Sequence, residues 1–317
     1  MAASDSDNAR LDAAARAGWL YYIAGNTQDE IARKLSVSRA TAQRLVSLCL
    51  SERLITFRLE HPIAACMELA ERLKNQFGLR FCEVAPTDPA APAALNGIAE
   101  RAAGLLESVL GADKPVIVAM GTGRAMRAAV EQVRAMACPN HQLVSLVGNI
   151  SPDGSATFFD SVARLADLTA ARHYPMPLPV FVSSAEERAQ LLRINAVARI
   201  RAIAEKADLR LMGVGQLDQG AQLHIDGFIS REELLEMMRL GAVGEIAGWA
   251  FDAQGRIIEG GINQRVTSVP HRIPAETLAV GVAIGASKAP AIRAALNGGV
   301  LNGLITDEAT ATALLGL

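Results

Sequence analysis

The sequence predicts an α/β protein in two parts, a small helical head followed by a larger domain built on a parallel sheet. Two patterns predict it. From Thr27 to Leu54, two short helical periodicities flank the turn Ser36-Val37-Ser38. From Arg80 onward, apolar runs of strand length alternate with helical segments, and runs such as Val116-Ile-Val-Ala-Met120 carry no polar alternation. Such runs belong to parallel strands covered by helices on both faces. The 317 residues suffice for one small and one larger domain.

In the head, Thr27 is the expected N-cap of a helix that opens with Gln28, Asp29 and Glu30 and repeats Ile31, Ala32 and Leu35 on one side. Acids in the first turn suit the helix dipole. Ser38 is expected to cap a second helix with the apolar stripe Ala42, Leu45, Val46 and Cys49. Small Ala32 and Ala42 permit a close crossing, so the stretch reads as a helix-turn-helix. Ser36 holds the turn position that often carries Gly. In that geometry the start of the second helix enters a DNA major groove. The candidate DNA-contacting residues are therefore Ser38, Arg39, Ala40, Gln43 and Arg44, with Gln28 from the first helix. Arg can grip a guanine edge and Gln an adenine edge through paired bonds. Between Arg33 and Arg58 there are six basic residues and one acid, a net charge of +5. That excess favours DNA over an ordinary helical hairpin with a solvated arginine face.

Around this motif, residues 1–9 are expected to fray, and Arg10–Ala24 to form a helix whose Trp19 packs into the core. Leu54–Leu59 alternates like a short strand, a possible wing beside DNA. A helix from Ala64 to Phe77 follows, suited to joining domains or pairing subunits. Expected strands are Arg80–Val84, Pro115–Met120, Gln142–Val147, Leu209–Val214, Leu278–Ile284 and Gly303–Thr306. Helices are expected over Ala93–Leu110, Ala125–Met136, Gln190–Glu205, Arg231–Leu240, Ala289–Leu296 and Asp307–Leu315. The order is Rossmann-like. The net charge of −2 excludes a globally basic protein. The scattered Cys49, Cys66, Cys82 and Cys138 suit reduced thiols, and neither they nor the five histidines form a ligand motif. No metal or cofactor is expected. With no run of 18 apolar residues and no signal peptide at MAASDSDNAR, the expected location is cytoplasmic, away from membranes.

Parallel sheets bind ligands at the carboxyl ends of their strands. Met120-Gly-Thr-Gly-Arg-Ala-Met126 closes one strand and opens a helix. Gly121, Thr122, Gly123 and Arg124 there form either an anion cradle or a tight turn without a ligand. The stretch lacks the third glycine of a dinucleotide fingerprint and the Lys-Ser/Thr of a P-loop. Asn149 and Gln216 follow other apolar strands. Glu245 is placed after a flexible turn in Gly241-Ala-Val-Gly-Glu-Ile246, and Asp252 follows; both could accept bonds from sugar hydroxyls. Lys288 follows Leu278–Ile284 and could hold a phosphate.

The order helix-turn-helix, GTG, GVGQ, GAVGEI and GASKAPAIRAALNGGVLNGLITDEATA resembles the sugar-binding regulators of the SorC family over nearly the whole chain. The final block and SRATAQRLV carry most of the likeness, and the opening ARAGWLYYIAGNTQDEIA is similar to the polyol-operon regulators among them, such as those for sorbitol or erythritol. The loop reads GTGRA where the family often reads GTGRT, and Asp160 stands where Asn is common. The resemblance implies a bacterial transcription regulator, more often a repressor, that binds operator DNA and a sugar, polyol or sugar phosphate as a homodimer or homotetramer. It implies an effector domain that resembles glucosamine-6-phosphate deaminase and ribose-5-phosphate isomerase. It also implies a pocket in which Gly121, Thr122, Gly123 and Arg124 form the phosphate side, lined further by Glu245 and Lys288. The expected division is 1–60 for DNA binding, 61–79 for a linker helix and 80–317 for the effector. The competing reading is a sugar-phosphate isomerase or deaminase with an accessory DNA-binding domain. It needs a positioned acid–base set, and no His lies in these glycine-rich turns, so no catalytic residue is assigned.

Overall fold

The computed structural model describes residues 2–52, 54–55, 63–151, 153–155, 161–270 and 272–317. It divides into two compact units, Met1–His61 and Pro62–Leu317.

In the smaller unit, α1 (Ala2–Gly18) passes into a single π turn (Trp19–Ile23), and α2 (Gln28–Leu35) and α3 (Arg39–Ser51) follow. Thr27 and Glu30 form a capping box: the Glu30 carboxylate accepts from the Thr27 amide at 2.8 Å, and Thr27 Oγ1 accepts from the Glu30 amide. Ser38 Oγ accepts from the Thr41 amide at 3.1 Å and starts α3. Between the helices Ser36 stands at φ 54° and ψ 44°, left-handed. Ala17, Ile31, Ala32, Ala42 and Val46 make the core. Helices α1 and α3 approach closely at Gly18, where a Cβ would lie 2.1 Å from Cys49 Sγ.

Two expectations for this unit change. Helix α1 begins at Ala2, where fraying was expected. Trp19 is 55% exposed instead of buried, because the inward stripe is Ala14, Ala17 and Gly18 and Trp19 lies one helical step off it. The expected strand over Leu54–Leu59 lies almost wholly outside the described residues, as do Asp160, Arg53 and Arg58.

The larger unit begins with α4 (Ala64–Phe77), β1 (Phe81–Ala85), α5 (Asn96–Leu110), β2 (Ile117–Met120), α6 (Arg124–Gln132), β3 (Gln142–Ile150), α7 (Val162–Thr169) and β4 (Arg172–Pro179). Then come α8 (Ala185–Leu192), α9 (Asn195–Glu205), β5 (Leu209–Gly213), β6 (Gly215–Gln216), α10 (Gln222–Ile225), α11 (Arg231–Arg239), β7 (Ala242–Ile246) and β8 (Trp249–Asp252). The chain closes with β9 (Leu278–Val282), α12 (Ala289–Asn297), β10 (Gly303–Asp307) and α13 (Glu308–Leu315).

Seven strands form one sheet in the order β1-β10-β9-β5-β2-β3-β4, every pairing parallel. Both faces are covered. Val118 and Met120 of β2 pack with Ile98, Leu106, Met126 and Leu165 from α5, α6 and α7. Ala119, between them, joins Leu73, Val197, Ile292 and Leu314 from α4, α9, α12 and α13 on the other face. Helix α4 is thus part of this unit's core. From β2 the chain moves outward to β3 and β4, then returns past β2 to β5, so the strand order reverses between β2 and β5.

Strand β4 has no counterpart among the expected strands. Its Pro175, Pro177 and Pro179 argue against a strand, yet β4 is the sheet edge, where missing amides are tolerated. A second, antiparallel sheet β6-β7-β8 was also unforeseen. Its tie to β9 is a stretch held by arginines. Arg201 donates to the Thr267 and Ser268 carbonyls, buried Arg210 to those of Pro270 and Arg272, and Trp249 Nε1 to that of Val269.

Ser36 gives a direct test of the head. A non-glycine residue in the left-handed region costs about 1–2 kcal/mol, and glycine's extra freedom when unfolded returns about 0.4–1 kcal/mol of that. Ser36→Gly is expected to stabilise the head by about 0.5–1 kcal/mol in denaturant unfolding. A destabilised variant would contradict the turn geometry.

Candidate functional site

The site starts from the end of β2. Gly121 donates its amide to the Leu211 carbonyl at 2.8 Å, and a Cβ at Gly121 would stand 3.4 Å from Met212 Cα, so the ends of β2 and β5 run backbone to backbone. Gly123, at φ 115°, turns the chain into α6. Arg124 is therefore the first residue of that helix, beside its free amides. This crevice is the switch point at which doubly wound sheets bind ligands.

The small sheet adds the other side of the site. Gly215 on β6 faces Glu245 on β7, and a Cβ at Gly215 would lie 2.2 Å from Glu245 Oε1. Glu245 is the fourth residue of β7, after the turn at Leu240-Gly241, where Gly241 has φ 88°, and a second turn follows at Ala247-Gly248. Both turn residues have positive φ, 54° and 82°, as a two-residue type I′ hairpin requires. Glu245 Oε2 accepts from the Gly248 amide at 2.8 Å. Lys288 closes the short turn after β9, reached through Gly285 at φ 114°.

Charge couples these elements. Burial pushes the Glu245 carboxyl above its ordinary value, against the pull of the Gly248 amide and of the Lys288 cation. Burial pushes the Lys288 ammonium down, Glu245 holds it up, and Arg124 pushes it further down. Lys288 thus lies within electrostatic reach of both Glu245 and Arg124, which come from two other distant stretches of the chain. A negatively charged ligand there would relieve the repulsion between Lys288 and Arg124.

The remaining candidates stand differently. Gln216, opposite Gly244 on β7, has its Oε1 buried with no hydrogen-bond partner among the described residues. Asn149 lies near the end of β3, beyond an irregular pairing with β4. Thr122 is half-buried in the loop after β2. Asp252 is committed elsewhere: its Oδ1 accepts from the Gln254 and Arg256 amides at 2.9 Å, and its Oδ2 from Arg256 Nε at 2.8 Å. It closes the turn after β8, and those bonds hold its carboxyl below the usual range despite partial burial. Sequence reasoning missed Asp226, whose Oδ1 pairs with Arg124 at 3.2 Å. The one local signal was Asp226-Gly227, an ordinary turn dipeptide.

In the smaller unit Ser38, Arg39, Ala40, Gln43 and Arg44 are all exposed on the first turns of α3, and Gln28 is half-buried. Arg39 lies 3.5 Å from Asp29, both largely exposed. Among the described residues there is no cluster of three metal-ligating side chains and no helix long and apolar enough to cross a membrane.

A parallel α/β domain with a charged crevice at its switch point, in one chain with a helix-turn-helix, is the architecture of ligand-binding regulators. The chain belongs to the SorC-like sugar-binding domain family, whose profile matches residues 61–316. It is 33% identical to the erythritol catabolism regulatory protein EryD of Brucella abortus over 303 residues, 96% of each chain. It is 32% identical to the transcriptional regulator LsrR of Klebsiella pneumoniae over 96% of this chain and 92% of that one. In fold it is like the full-length sorbitol operon regulator SorC of Klebsiella pneumoniae, with a TM-score of 0.72 at 23% identity over 95% of this chain and 97% of that one. These relatives carry the names of regulators, not enzymes, and the isomerase reading is not favoured.

The placement of Glu245 can be checked by titration. Its raised value means that the folded chain keeps a proton that the unfolded chain releases near pH 4.5. Folding stability from this group is full below that pH and is lost as pH rises through the folded value. The stability of the parent minus that of Glu245→Gln is therefore expected to fall as pH rises above 4.5, in urea unfolding across a pH series. A difference that is flat or rises would contradict the buried placement.

Proposed function

We propose that the chain is a transcription regulator of a sugar or polyol catabolic operon, acting as a repressor released or retained by a small effector. The observation that carries the proposal is the crevice at the ends of β2 and β5, where Gly121 lies against Met212, Gly215 against Glu245, and Lys288 is within electrostatic reach of Glu245 and Arg124, in a chain whose α3 exposes Arg39 and Arg44. Helix α3 enters the major groove of operator DNA, with Arg39, Gln43 and Arg44 at base edges and Ser38 and Ala40 close by. The effector lies across the ends of β2 and β5. Its hydroxyls bond to Glu245, Asn149 and the unpartnered Gln216 Oε1, and any phosphate bonds to the Gly121–Arg124 loop and Lys288. A buried acceptor without a partner is costly, so a ligand hydroxyl at Gln216 is favoured.

A single α3 reads few base pairs, so the working form is a homodimer or homotetramer reading repeated half-sites. The protein acts in the cytoplasm and needs no cofactor. In this reading the effector domain resembles glucosamine-6-phosphate deaminase and ribose-5-phosphate isomerase in fold and acts by binding. The names of the erythritol regulator EryD and the sorbitol regulator SorC support a polyol as the effector class.

Two substitutions test the two halves separately. Arg39→Ala is expected to weaken operator binding by about 1–3 kcal/mol in fluorescence anisotropy and to leave effector binding unchanged. Lys288→Met is expected to weaken a sugar phosphate by about 1.5–3 kcal/mol in calorimetry, and to leave ligand-free operator binding unchanged. Parent-like binding by both variants would remove the assignment.

A further inference from the structure

Arg124 already faces an anion within its own chain. Its guanidinium lies 3.2 Å from Asp226 Oδ1, and the same oxygen accepts from Gln222 Nε2 at 2.7 Å. The two residues are 102 positions apart, so the contact is made by the fold and not by a local turn. Asp226 follows α10 directly, and Gly227, at φ 77°, follows Asp226. The ends of this segment are anchored, with Ala221 and Ile229 both buried, while Ile225 between them is 64% exposed.

We infer that Asp226 is the residue that discriminates phosphorylated from neutral effectors, by occupying as an internal counter-ion the place a phosphate takes on Arg124. The inference rests on the effector site proposed above. Asp226 reaches Arg124 through one oxygen, in a pair whose side chains remain 49% and 24% exposed, so the contact is weak and screened. A phosphate presents three oxygens to the planar fork of Arg124, and can add the amides at the start of α6 and the Lys288 ammonium. It wins that competition. A neutral polyol has no charge to offer Arg124 and leaves the pair with Asp226 intact. Once a phosphate is seated, it repels Asp226 and takes its place on Arg124. A phosphorylated and a neutral effector therefore leave the Arg124–Asp226 pair in two different states.

The test is calorimetry on the full chain with inorganic phosphate, erythrose 4-phosphate and erythritol as probes. Asp226→Asn keeps the side-chain shape and the bond with Gln222 and removes the charge. It is expected to bind inorganic phosphate and erythrose 4-phosphate about two- to fivefold more tightly than the parent, the factor an exposed ion pair supplies. Erythritol affinity is expected to stay the same. In an Arg124→Met background the same substitution is expected to give no gain, which separates competition for Arg124 from the general loss of a negative charge. Unchanged or weaker phosphate binding by Asp226→Asn, or an equal gain without Arg124, overturns the inference. If neither parent nor variant binds phosphate while erythritol binds, the inference falls and the effector site stands. If Arg124→Met and Lys288→Met bind every probe as the parent does, the site itself falls with it.

Discussion

A parallel sheet closed to water on both faces leaves few places for polar chemistry. In the larger unit Val118 and Met120 point into one apolar layer and Ala119 into the other, so β2 can interact with a solute only at its end. The return of the chain from β4 to β5 parts the loops on either side of that end. The Gly121 backbone can then lie against Met212 and leave a crevice in front of α6. The position of the site is thus a consequence of strand order, and its chemistry comes from the loops that strand order gathers there.

What those loops bring is energetically awkward in the absence of a ligand. Lys288 feels both the Glu245 carboxylate and the Arg124 cation, and burial works against the charges of Glu245 and Lys288. Glu245 and Lys288 offset part of that cost for each other, and Asp226 does so for Arg124. Buried charges held this way add little to stability, and under the proposed function they serve as a preorganised receptor. The arginine-held stretch from Thr267 to Pro270 works in the same sense. It fixes the path between β8, next to Glu245's strand, and β9, which leads to Lys288. Both partners are thereby set on defined backbone.

Much of the fold was legible in the sequence, for reasons that also explain what was not. Continuous apolar runs marked β2, β3, β5, β9 and β10, because strands buried on both sides need no alternation. The caps Thr27 and Ser38 were readable because a short side chain at a helix start has one main use. Strand β4 was hidden by its three prolines, which only an edge position permits. The β7–β8 hairpin was hidden because Ala247 takes a left-handed turn conformation that its side chain does not advertise. At the site, glycine-rich strand ends drew attention to Arg124, Glu245 and Lys288. The engagement of Asp252 by Arg256 and of Arg124 by Asp226 depends on side-chain geometry. The second of these joins residues 102 apart, and no local pattern encodes it.

In the proposed function, occupancy of the crevice changes the affinity of α3 for DNA, and linkage makes that coupling two-sided. The most direct measurement is operator affinity of the intact protein, by anisotropy, at rising concentrations of polyols and sugar phosphates, paired with effector affinity with and without saturating operator. At least one effector is expected to shift operator affinity by about 5- to 150-fold, and operator to shift the affinity for that effector by the same factor. An effector that binds tightly in the crevice and leaves operator affinity unchanged would contradict it.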